Sequence, residues 1–515
     1  MRIRHPHPRT RRQALTALGV GAVLFASAAC DSRPASTSAS PSTLALSIFG
    51  TPNSFDPTQL LEGQQMYVWD SVYDTLLLQD NQGRLQPGAA QSWQYSTDAR
   101  TLTLKLRTGM KFSDGSPVDS AAVRATLDRI RTTPGPSQGM LASLAAVEAP
   151  DATTVVVRLK RPDGSLLTAL SQAAGVIGDP KTMTTRSAAL EPVGSGPYTL
   201  DKGQTVNGSV YVLKRRADYW NKAAYPFATV KVRVISDPTA AANALKAGQT
   251  NAGTVDISQL SGFPAPAFER KHVDATAGAT LVLADREGQV LKPLGDLRVR
   301  KAINMAFDRA KMVKQLLRGS GRPTTQIYNP KGTAYDNSLN QTYGYDPQGA
   351  KRLLAEAGYP NGFSVTMPSL VFTKTFEPTL TQALGDIGVK VTWQPVPPQQ
   401  AVSALASKKY PLFLVVDGLT ATPTETRNFY SPTGYRNVFN STDPALTSLL
   451  DRADRELDPG KAAGIYRQIN KFGVDNAWYS PVFQIGSDWV TKKGITYLGD
   501  GSSTLATVRQ FGATA

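Results

Sequence analysis

The sequence of 515 residues is poor in thiol and imidazole groups, with one cysteine and three histidines. His5 and His7 lie within the first 30 residues, so the rest of the chain carries only His272. A single imidazole without a thiol cannot build a His-rich zinc site, a Cys/His nucleophilic pair or a zinc finger. We therefore expect no metal, no cofactor and no enzymatic activity, and we expect His272 to be a surface residue.

The sequence also has no apolar run long enough for a confident membrane span, which needs roughly 20 strongly apolar residues. Its most apolar early segment, residues 14–25, is rich in alanine and glycine. Arginines without any acidic residue precede this segment, and the small residues 26–29 follow it. This order of basic, apolar and small residues is typical of a secretory signal, so we predict that residues 1–30 are a signal peptide.

The lone cysteine, Cys30, stands at the end of that signal. Residues 27–30 (SAAC) resemble a bacterial lipobox, in which the cysteine becomes the lipidated first residue, although Ser27 replaces the usual leucine. Residues 10–15 (TRRQAL) resemble a twin-arginine export signal, with Ala14 in place of a bulky apolar residue. We predict lipidation of Cys30 and a lipid-anchored protein outside the cytoplasm. The alternative is an ordinary export signal in which Cys30 has no role.

The segment that follows Cys30 is polar. Residues 31–43 carry almost no apolar side chains to bury and are predicted to be a flexible tether. The formal net charge is +16, and five of the positive charges belong to arginines of the signal. The other basic residues are dispersed and form no stripe interleaved with aromatic residues, so we expect no nucleic-acid partner.

Alternating short patterns in the mature chain predict an α/β protein. Residues 44–49 form an apolar run of strand length, and residues 60–78 have apolar residues near helical spacing. Leucines alternate with polar residues over 102–106, which is typical of a half-buried strand. A helix is predicted over 121–131, with Asp119 or Ser120 as its N-cap.

Short motifs recur in a fixed order through the mature chain. They are 85–93 (LQPGAAQSW), 103–118 (TLKLRTGMKFSDGSPV), 192–198 (PVGSGPY), 216–220 (RADYW), 296–309 (DLRVRKAINMAFDR), 345–347 (YDP) and 356–360 (EAGYP). Together they resemble the motifs of the extracellular solute-binding proteins of the peptide and nickel class, the family 5 binding components of ABC importers. The motifs themselves consist mostly of packing aromatics, glycines and helix-flanking charges, so they indicate a scaffold more than a site.

The resemblance implies an α/β, two-lobed fold of the periplasmic-binding-protein type II-like class, with an extra subdomain in the first lobe. The expected divisions are 44–78, 191–278 and 491–515 for lobe I, 79–190 for the extra subdomain, and 279–490 for lobe II. Closure of the lobes over a solute would capture it, because the solute binds the closed form better. The implied partners are a small peptide or other solute and an ABC permease with its ATPase, and the protein is expected to be a monomer.

The resemblance also directs attention to acidic residues of lobe II, because one commonly pairs with the amino terminus of the ligand in the peptide-binding branch. Asp417 follows a continuous apolar run, which would place its carboxylate at a strand end where ligands tend to bind. Its alternative role is in a turn or a helix cap. Further predicted ligand contacts are Arg427, Tyr430, Tyr435 and Arg436, just downstream, and Trp393 and Trp489, for which core packing is the alternative.

The sequence therefore predicts a lipid-anchored receptor that captures oligopeptides for an importer. A binder of another solute, such as a nickel chelate, an opine or a glycan-derived compound, is the alternative within the same fold. A receptor that senses an extracellular peptide is a second alternative, which the sequence does not separate from transport. An exported hydrolase is not expected, since no G-x-S-x-G elbow with a histidine partner can be built around His272.

Overall fold

Short strands separated by helices make up the chain, as the alternating patterns predict. The computed structural model describes residues 42–503 and 505–514. The strands in these residues are β1 (Thr43–Ile48), β2 (Leu77–Gln79), β3 (Leu85–Pro87), β4 (Ala90–Tyr95), β5 (Thr101–Leu106), β6 (Leu144–Asp151), β7 (Thr154–Leu159), β8 (Tyr198–Leu200), β9 (Val210–Arg215), β10 (Thr229–Val234), β11 (Ala252–Val255), β12 (Phe268–Leu283), β13 (Gly321–Pro323), β14 (Phe363–Ser369), β15 (Val389–Pro395), β16 (Leu412–Gly418), β17 (Ser480–Lys492), β18 (Ile495–Tyr497) and β19 (Phe511–Ala513).

The α-helices lie between these strands. They are α1 (Met66–Val72), α2 (Ser120–Thr132), α3 (Leu166–Ala169), α4 (Pro238–Lys246), α5 (Leu297–Met305), α6 (Arg309–Leu316), α7 (Pro347–Glu356), α8 (Glu377–Asp386), α9 (Ala401–Ala406), α10 (Thr422–Tyr430), α11 (Pro444–Arg455) and α12 (Pro459–Asp475). None of the described helices is long and apolar enough to cross a membrane.

The first lobe, called lobe I here, contains β1 to β11 together with β18 and β19. One of its sheets has the order β1-β10-β9-β8, in which β1 runs parallel to β10. A second, antiparallel sheet has the order β4-β5-β7-β6, and helix α2 packs on it against β6. Both sheets contribute to one continuous cluster of buried apolar side chains.

The second lobe, lobe II, contains β13 to β16 and helices α5 to α12. A five-stranded sheet with the order β11-β17-β12-β16, with β13 added on β17, extends from lobe I into lobe II, and β14 and β15 form a separate parallel pair. Two apolar clusters lie on the two faces of this sheet, since Leu281 and Leu283 belong to one and Val282 to the other. The alternation of side chains along β12 therefore supplies both cores.

The two long strands β12 and β17 run through both lobes. The first part of β12 pairs with the last part of β17 beside β11, and the rest of β12 pairs with β17 and β16. The β12–β17 register shifts between Val273 and Ala277, where the ladder is interrupted. The two paired segments of β12 and β17 are therefore separated by an irregularity, of the kind that bends and twists a strand locally.

Several local predictions are confirmed. Residues 101–106 form a strand, and Leu102, Leu104 and Leu106 are at most 2% exposed. The helix predicted over 121–131 is α2, and its N-cap is Asp119, whose carboxylate accepts a hydrogen bond from the Ala122 N–H at 2.9 Å. This bond satisfies one of the N–H groups that a helix start leaves without an intrahelical partner.

The helix predicted over 60–78 is wrong in its extent. Helix α1 spans only Met66–Val72, and Tyr73 is already extended, with φ −113° and ψ 140°. The buried Asp74 side chain accepts hydrogen bonds from the Tyr219 hydroxyl at 2.7 Å and the Trp220 indole at 3.3 Å. These tertiary contacts hold residue 74 outside the helix, which local periodicity cannot anticipate.

Gly194 and Gly196 of the 192–198 motif allow close approach of two backbone segments and do not adopt unusual dihedrals. A Cβ at Gly194 would collide with the carbonyl oxygen of Val72, and one at Gly196 would lie 2.6 Å from the Val72 carbonyl carbon. The Gly196 N–H donates to the Val72 oxygen at 3.0 Å. Neither glycine has a positive φ. The motif therefore fixes a backbone crossing at the end of α1.

Candidate ligand-binding cleft

Two polar side-chain contacts join lobe I and lobe II. Arg161 of lobe I forms an ion pair with Asp454 of lobe II, with Nη1 and Oδ2 2.6 Å apart. Nearby, the Arg427 guanidinium of lobe II donates to the Ser165 hydroxyl of lobe I at 3.1 Å. Arg427, which lies in helix α10, is therefore at the interface of the lobes. Burial lowers the pKa of its guanidinium.

A second contact between the lobes joins two aromatic rings. The centroids of Phe49, at the end of β1, and Phe372, which follows β14, are 6.1 Å apart. The Phe49 N–H donates to the Gln64 side chain at 2.7 Å, which anchors this part of lobe I. Both rings remain largely accessible, with exposures of 47% and 62%. The pair is therefore a solvent-accessible contact between the lobes.

Asp417 lies at the end of β16, as the apolar run before it predicts. Its carboxylate is held by Arg436 in a bidentate pair, in which Nε donates to Oδ2 at 2.8 Å and Nη2 donates to Oδ1 at 2.5 Å. The Asp417 side chain is 26% exposed and the Arg436 side chain is 12% exposed. The charge of Asp417 is thus offset within the protein, and the carboxylate keeps lone pairs that can accept further hydrogen bonds.

Tyr435 lies beside this pair and completes one wall of a cavity. The Arg436 guanidinium covers the Tyr435 ring at 4.4 Å from its centroid, a geometry in which a cation is attracted to the ring. The cavity has a volume of about 430 Å³ and is mainly apolar. Besides Asp417, Tyr435 and Arg436, its lining includes Leu370, Phe372, Val402, Leu405, Val415 and Val416.

Glu425, the next acidic residue after Asp417 along the chain, is buried in helix α10. Its carboxyl accepts a hydrogen bond from the Thr420 N–H at 2.8 Å. Burial raises the pKa of Glu425 to about 8, and the nearby charge of Asp417 acts in the same direction. The carboxyl is therefore predominantly protonated at neutral pH and contributes little negative charge to the cleft.

Glu62 is a candidate that the sequence reasoning missed. The Ala173 N–H donates to its Oε1 at 2.8 Å, while Oε2 is enclosed and accepts no hydrogen bond from the described residues. Burial raises the pKa of this carboxyl to about 7, and Asp70 raises it further. A signal existed in the sequence, because Glu62 is the single charged residue between Asp56 and Asp70.

Three other predicted contacts pack against the apolar cores, Tyr430 fully buried and Trp393 and Trp489 half-buried. Tyr430 is 2% exposed and stacks on Tyr328 in the core of lobe II. Trp393 packs on the other core of lobe II and donates its indole N–H to the Thr381 hydroxyl at 2.8 Å. Trp489 stacks on Tyr497, with ring centroids 4.2 Å apart, against the core of lobe I. The structure does not bring these three side chains to the Asp417 cavity.

His272 lies on β12 where this strand pairs with β17. Its Nδ1 is 2.8 Å from the Asp488 carboxylate and its Nε2 is 3.4 Å from Asp274, and the side chain is 39% exposed. No group of three or more His, Cys, Asp and Glu side chains that could hold a metal ion occurs in the described part of the chain. Cys30, the predicted lipidation site, lies outside the described residues.

Comparison of the sequence with known proteins gives two consistent results. The model of the bacterial extracellular solute-binding proteins, family 5 Middle, matches residues 84–441. The glutathione-binding protein GsiB of Escherichia coli (strain K12) is 30% identical over 395 residues, which cover 74% of this chain and 72% of GsiB. GsiB of Shigella flexneri matches to the same extent, with 30% identity over 395 residues.

Comparison with solved structures shows which known proteins share this fold. The periplasmic binding protein AgaA of A. tumefaciens R10, solved with agropinic acid, superposes with a TM-score of 0.78 at 23% identity, over 92% of this chain and 99% of AgaA. DppA of Helicobacter pylori, solved with the peptide STSA, gives a TM-score of 0.77 at 20% identity, over 92% and 98%. The two-lobed α/β architecture with an extra subdomain in lobe I is therefore that of the periplasmic binding proteins.

Proposed function

The chain belongs to the family 5 bacterial extracellular solute-binding proteins, the binding components of ABC importers, and from this membership we propose that its solute is an oligopeptide. The proposal is that the protein captures a short peptide between its lobes outside the cytoplasm. It then presents the closed, loaded form to a membrane permease that is driven by an ATPase. Capture and release make and break no covalent bond.

The observation that carries the peptide proposal is the position of β16 beside the cavity. β16 is the last strand of its sheet and pairs with β12 along one edge. Val415, Val416 and Asp417 of this strand also line the cavity. An edge strand supplies a row of backbone N–H and C=O groups, which an extended peptide can pair with while its side chains enter neighbouring pockets.

We next propose a group that recognises the amino terminus of the peptide. Glu62 offers an enclosed carboxyl oxygen without a hydrogen-bond partner among the described residues, and an ammonium group would stabilise its ionised form. We therefore propose Glu62 as the group that pairs with the ligand amine. Asp417, Tyr435, Arg436 and Arg427 remain proposed ligand contacts, with Asp417 acting as a hydrogen-bond acceptor whose charge Arg436 offsets.

Closure is proposed to occur about β12 and β17, with lobe I comprising 44–78, 191–278 and 491–515, the extra subdomain 79–190, and lobe II 279–490. The contacts of Arg161 with Asp454 and of Arg427 with Ser165 support this proposal, because they join side chains far apart in sequence across the cleft. A solute that touches both lobes would bind the closed form preferentially and shift the population toward it.

The attachment of the protein to the cell membrane is proposed from the sequence. Cys30 follows a secretory signal and precedes a polar tether, which would allow the folded lobes to stand away from the membrane. Lipidation of Cys30, with export by the twin-arginine route, would keep a diffusible receptor near its permease. We further propose that the receptor acts as a monomer.

The experiment that tests the peptide proposal is isothermal titration calorimetry of the mature protein. The titrants are synthetic di-, tri- and tetrapeptides with free or acetylated amino termini, glutathione, an opine and a nickel chelate. Glutathione is included because it is a tripeptide and because GsiB is named for binding it. Binding of a free-amine peptide with micromolar or tighter affinity is expected. Binding of the opine or the chelate without any peptide would reject the peptide proposal and leave the family assignment intact.

A further inference from the structure

Exposed apolar side chains gather at the cleft. Five of the twelve large hydrophobic side chains that are exposed in the described residues lie at or next to the Asp417 cavity: Phe49, Val371, Phe372, Val402 and Tyr435. Val402 is 83% exposed and Phe372 is 62% exposed, so both have free surface to bury. Scattered exposed apolar residues are ordinary, but a contiguous group with polar surroundings marks a binding surface.

The cavity itself suits an uncharged group. The charged side chains among its lining residues are Asp417 and Arg436, which offset each other at 2.5 Å, and the other polar lining side chains, such as Thr373, Asn437 and Asn440, are uncharged. A charged ligand group entering the cavity would lose its hydration without gaining a counter-charge, which is unfavourable. An apolar group loses no hydrogen bonds there and buries the surfaces of Phe372, Val402 and Leu405.

The volume of the cavity suits one group of a ligand better than a whole ligand molecule. Its volume of about 430 Å³ lies at the low end of the roughly 300–1,000 Å³ that is common for pockets holding an entire small molecule. It opens at the edge of β16, where the proposed peptide backbone would lie. A side chain that points from that backbone into lobe II would therefore enter it.

The position of the patch favours a side chain of the solute over a protein partner as its occupant. The Phe372 ring lines the cavity and also contacts the ring of Phe49 across the cleft. The patch is thus continuous with the surface between the lobes and is partly covered by lobe I itself. A group that occupies the patch therefore lies where the two lobes meet, which is where the proposed solute would be held.

Building on the proposed peptide function, we infer that this cavity is a specificity pocket for a bulky apolar side chain of the ligand, aliphatic or aromatic. Phe372, Val402 and Leu405 form its apolar walls, and Phe49 of lobe I closes over its opening. The pocket couples ligand choice to closure, because an apolar side chain seated against Phe372 adds surface for Phe49 to bury.

The test uses calorimetry with free-amine tripeptides of alanine that carry one variable residue, Leu, Phe, Gly, Lys or Glu, at the first, second or third position. At one of these positions, Leu or Phe is expected to bind about 10- to 100-fold more tightly than Gly, the gain typical of burying one apolar side chain. Lys and Glu at that position are expected to bind no better than Gly.

Two variants assign the effect to the cavity. Val402→Asp should remove the preference for Leu and Phe, and the high exposure of Val402 means that the protein should still fold. Val206→Asp is the matched control, because Val206 is 59% exposed in lobe I and does not line the cavity. It should bind as the wild type does.

The outcomes separate the pocket from the peptide function. If peptides bind but Gly, Lys and Leu are equivalent at every position, the pocket inference is overturned and the peptide function stands. If Val402→Asp leaves the preference intact, the pocket is elsewhere and the inference is likewise overturned. If no tripeptide or longer peptide binds, the peptide function itself fails.

Discussion

The Asp417 carboxylate and the Arg436 guanidinium form a bidentate pair with donor–acceptor distances of 2.8 and 2.5 Å at the end of β16. The pair joins the end of a sheet strand to the loop that follows helix α10. It also contributes the charged side chains that line a mainly apolar cavity. The residue that sequence reasoning assigned to a ligand amine therefore already has a partner of opposite charge within the protein.

The first prediction concerns the strength of this pair. Asp417→Asn and Arg436→Met should each reduce the free energy of unfolding by about 2 to 4 kcal/mol, because each leaves a poorly solvated charge without its partner. The double variant should cost much less than the sum of the two. Urea unfolding of all four proteins at one pH gives the coupling energy. Strictly additive losses would show that the two side chains do not act as a pair.

The second prediction concerns Glu62 and the pH dependence of binding. Its pKa is raised to about 7 in the ligand-free protein, so below pH 7 a proton must leave before an ammonium group can pair with it. Affinity for a free-amine peptide should therefore fall by up to about tenfold for each pH unit below 7. Glu62→Gln should weaken binding and remove this dependence.

Two comparisons control for indirect effects at Glu62. N-acetylated peptides should bind weakly and with little pH dependence, because they carry no ammonium group. Glu191→Gln changes a surface glutamate of lobe I that pairs with Lys202, and it should behave like the wild type. An unchanged pH profile in Glu62→Gln would assign the amine to another residue, and Asp417→Asn would be the next variant to titrate.

The third prediction concerns the stability contributed by Glu425. Its folded-state pKa of about 8 exceeds its ordinary value of 4.5, so between these values the unfolded state loses the proton and the folded state keeps it. Stability from this group is therefore present below pH 4.5 and is lost as pH rises toward 8. Glu425→Gln should match the wild type near pH 5 and be more stable at pH 8 by on the order of 3 kcal/mol. A constant difference at all pH values would contradict a protonated Glu425.

The fourth prediction concerns the contact between the lobes near Arg161. A Cβ at Gly164 would lie 2.6 Å from the backbone oxygen of Ala453 in lobe II, which is too close for any side chain. Gly164→Ala should therefore hold the lobes apart and weaken peptide binding about tenfold, the equivalent of about 1.4 kcal/mol. Calorimetry gives the affinity, and small-angle X-ray scattering of the ligand-saturated protein should show a larger radius of gyration.

Gly139→Ala is the matched control for this variant. Gly139 is also in lobe I, and a Cβ there would meet no atom within 4 Å. It should bind and close like the wild type. If Gly164→Ala binds as tightly as Gly139→Ala, the contact of residue 164 with lobe II plays no part in closure.

The fifth prediction concerns the anchor. Cys30→Ala should release the protein from the membrane fraction into the medium or the extracytoplasmic space, because the folded part of the chain would lose its lipid. Metabolic labelling with an alkyne analogue of palmitate should mark the wild type and not the variant. A wild-type protein without label, found in the soluble fraction, would show that Cys30 has no role in attachment.

The elements that could be predicted from the sequence depend on short-range chemistry. The alternation of Leu102, Leu104 and Leu106 identified β5, and Asp119 identified the start of α2, because periodicity and capping are set by residues a few positions apart. The sequence predicted too long a helix at α1. Residue 74 is held outside the helix by Tyr219, which lies far along the chain and leaves no local signal.

The candidate site was less predictable for the same reason. The sequence placed Asp417 at a strand end, but its pairing with Arg436 depends on how the loop after α10 folds back. The apolar walls of the cavity come from Phe372, Val402 and Val415, which are separated along the chain and share no motif. The contact of Phe49 with Phe372 exists only when the lobes approach each other.

The most direct test of the account is to identify the solute that the protein carries. The protein is purified from its native cells without added ligand and denatured, and the released molecules are analysed by mass spectrometry. The synthetic compound is then titrated into ligand-free protein by calorimetry. The account predicts a short peptide with a free amino terminus and at least one bulky apolar side chain, rebinding with micromolar or tighter affinity. Release and rebinding of an opine, a glycan-derived compound or a metal chelate, with no peptide binding, would contradict it.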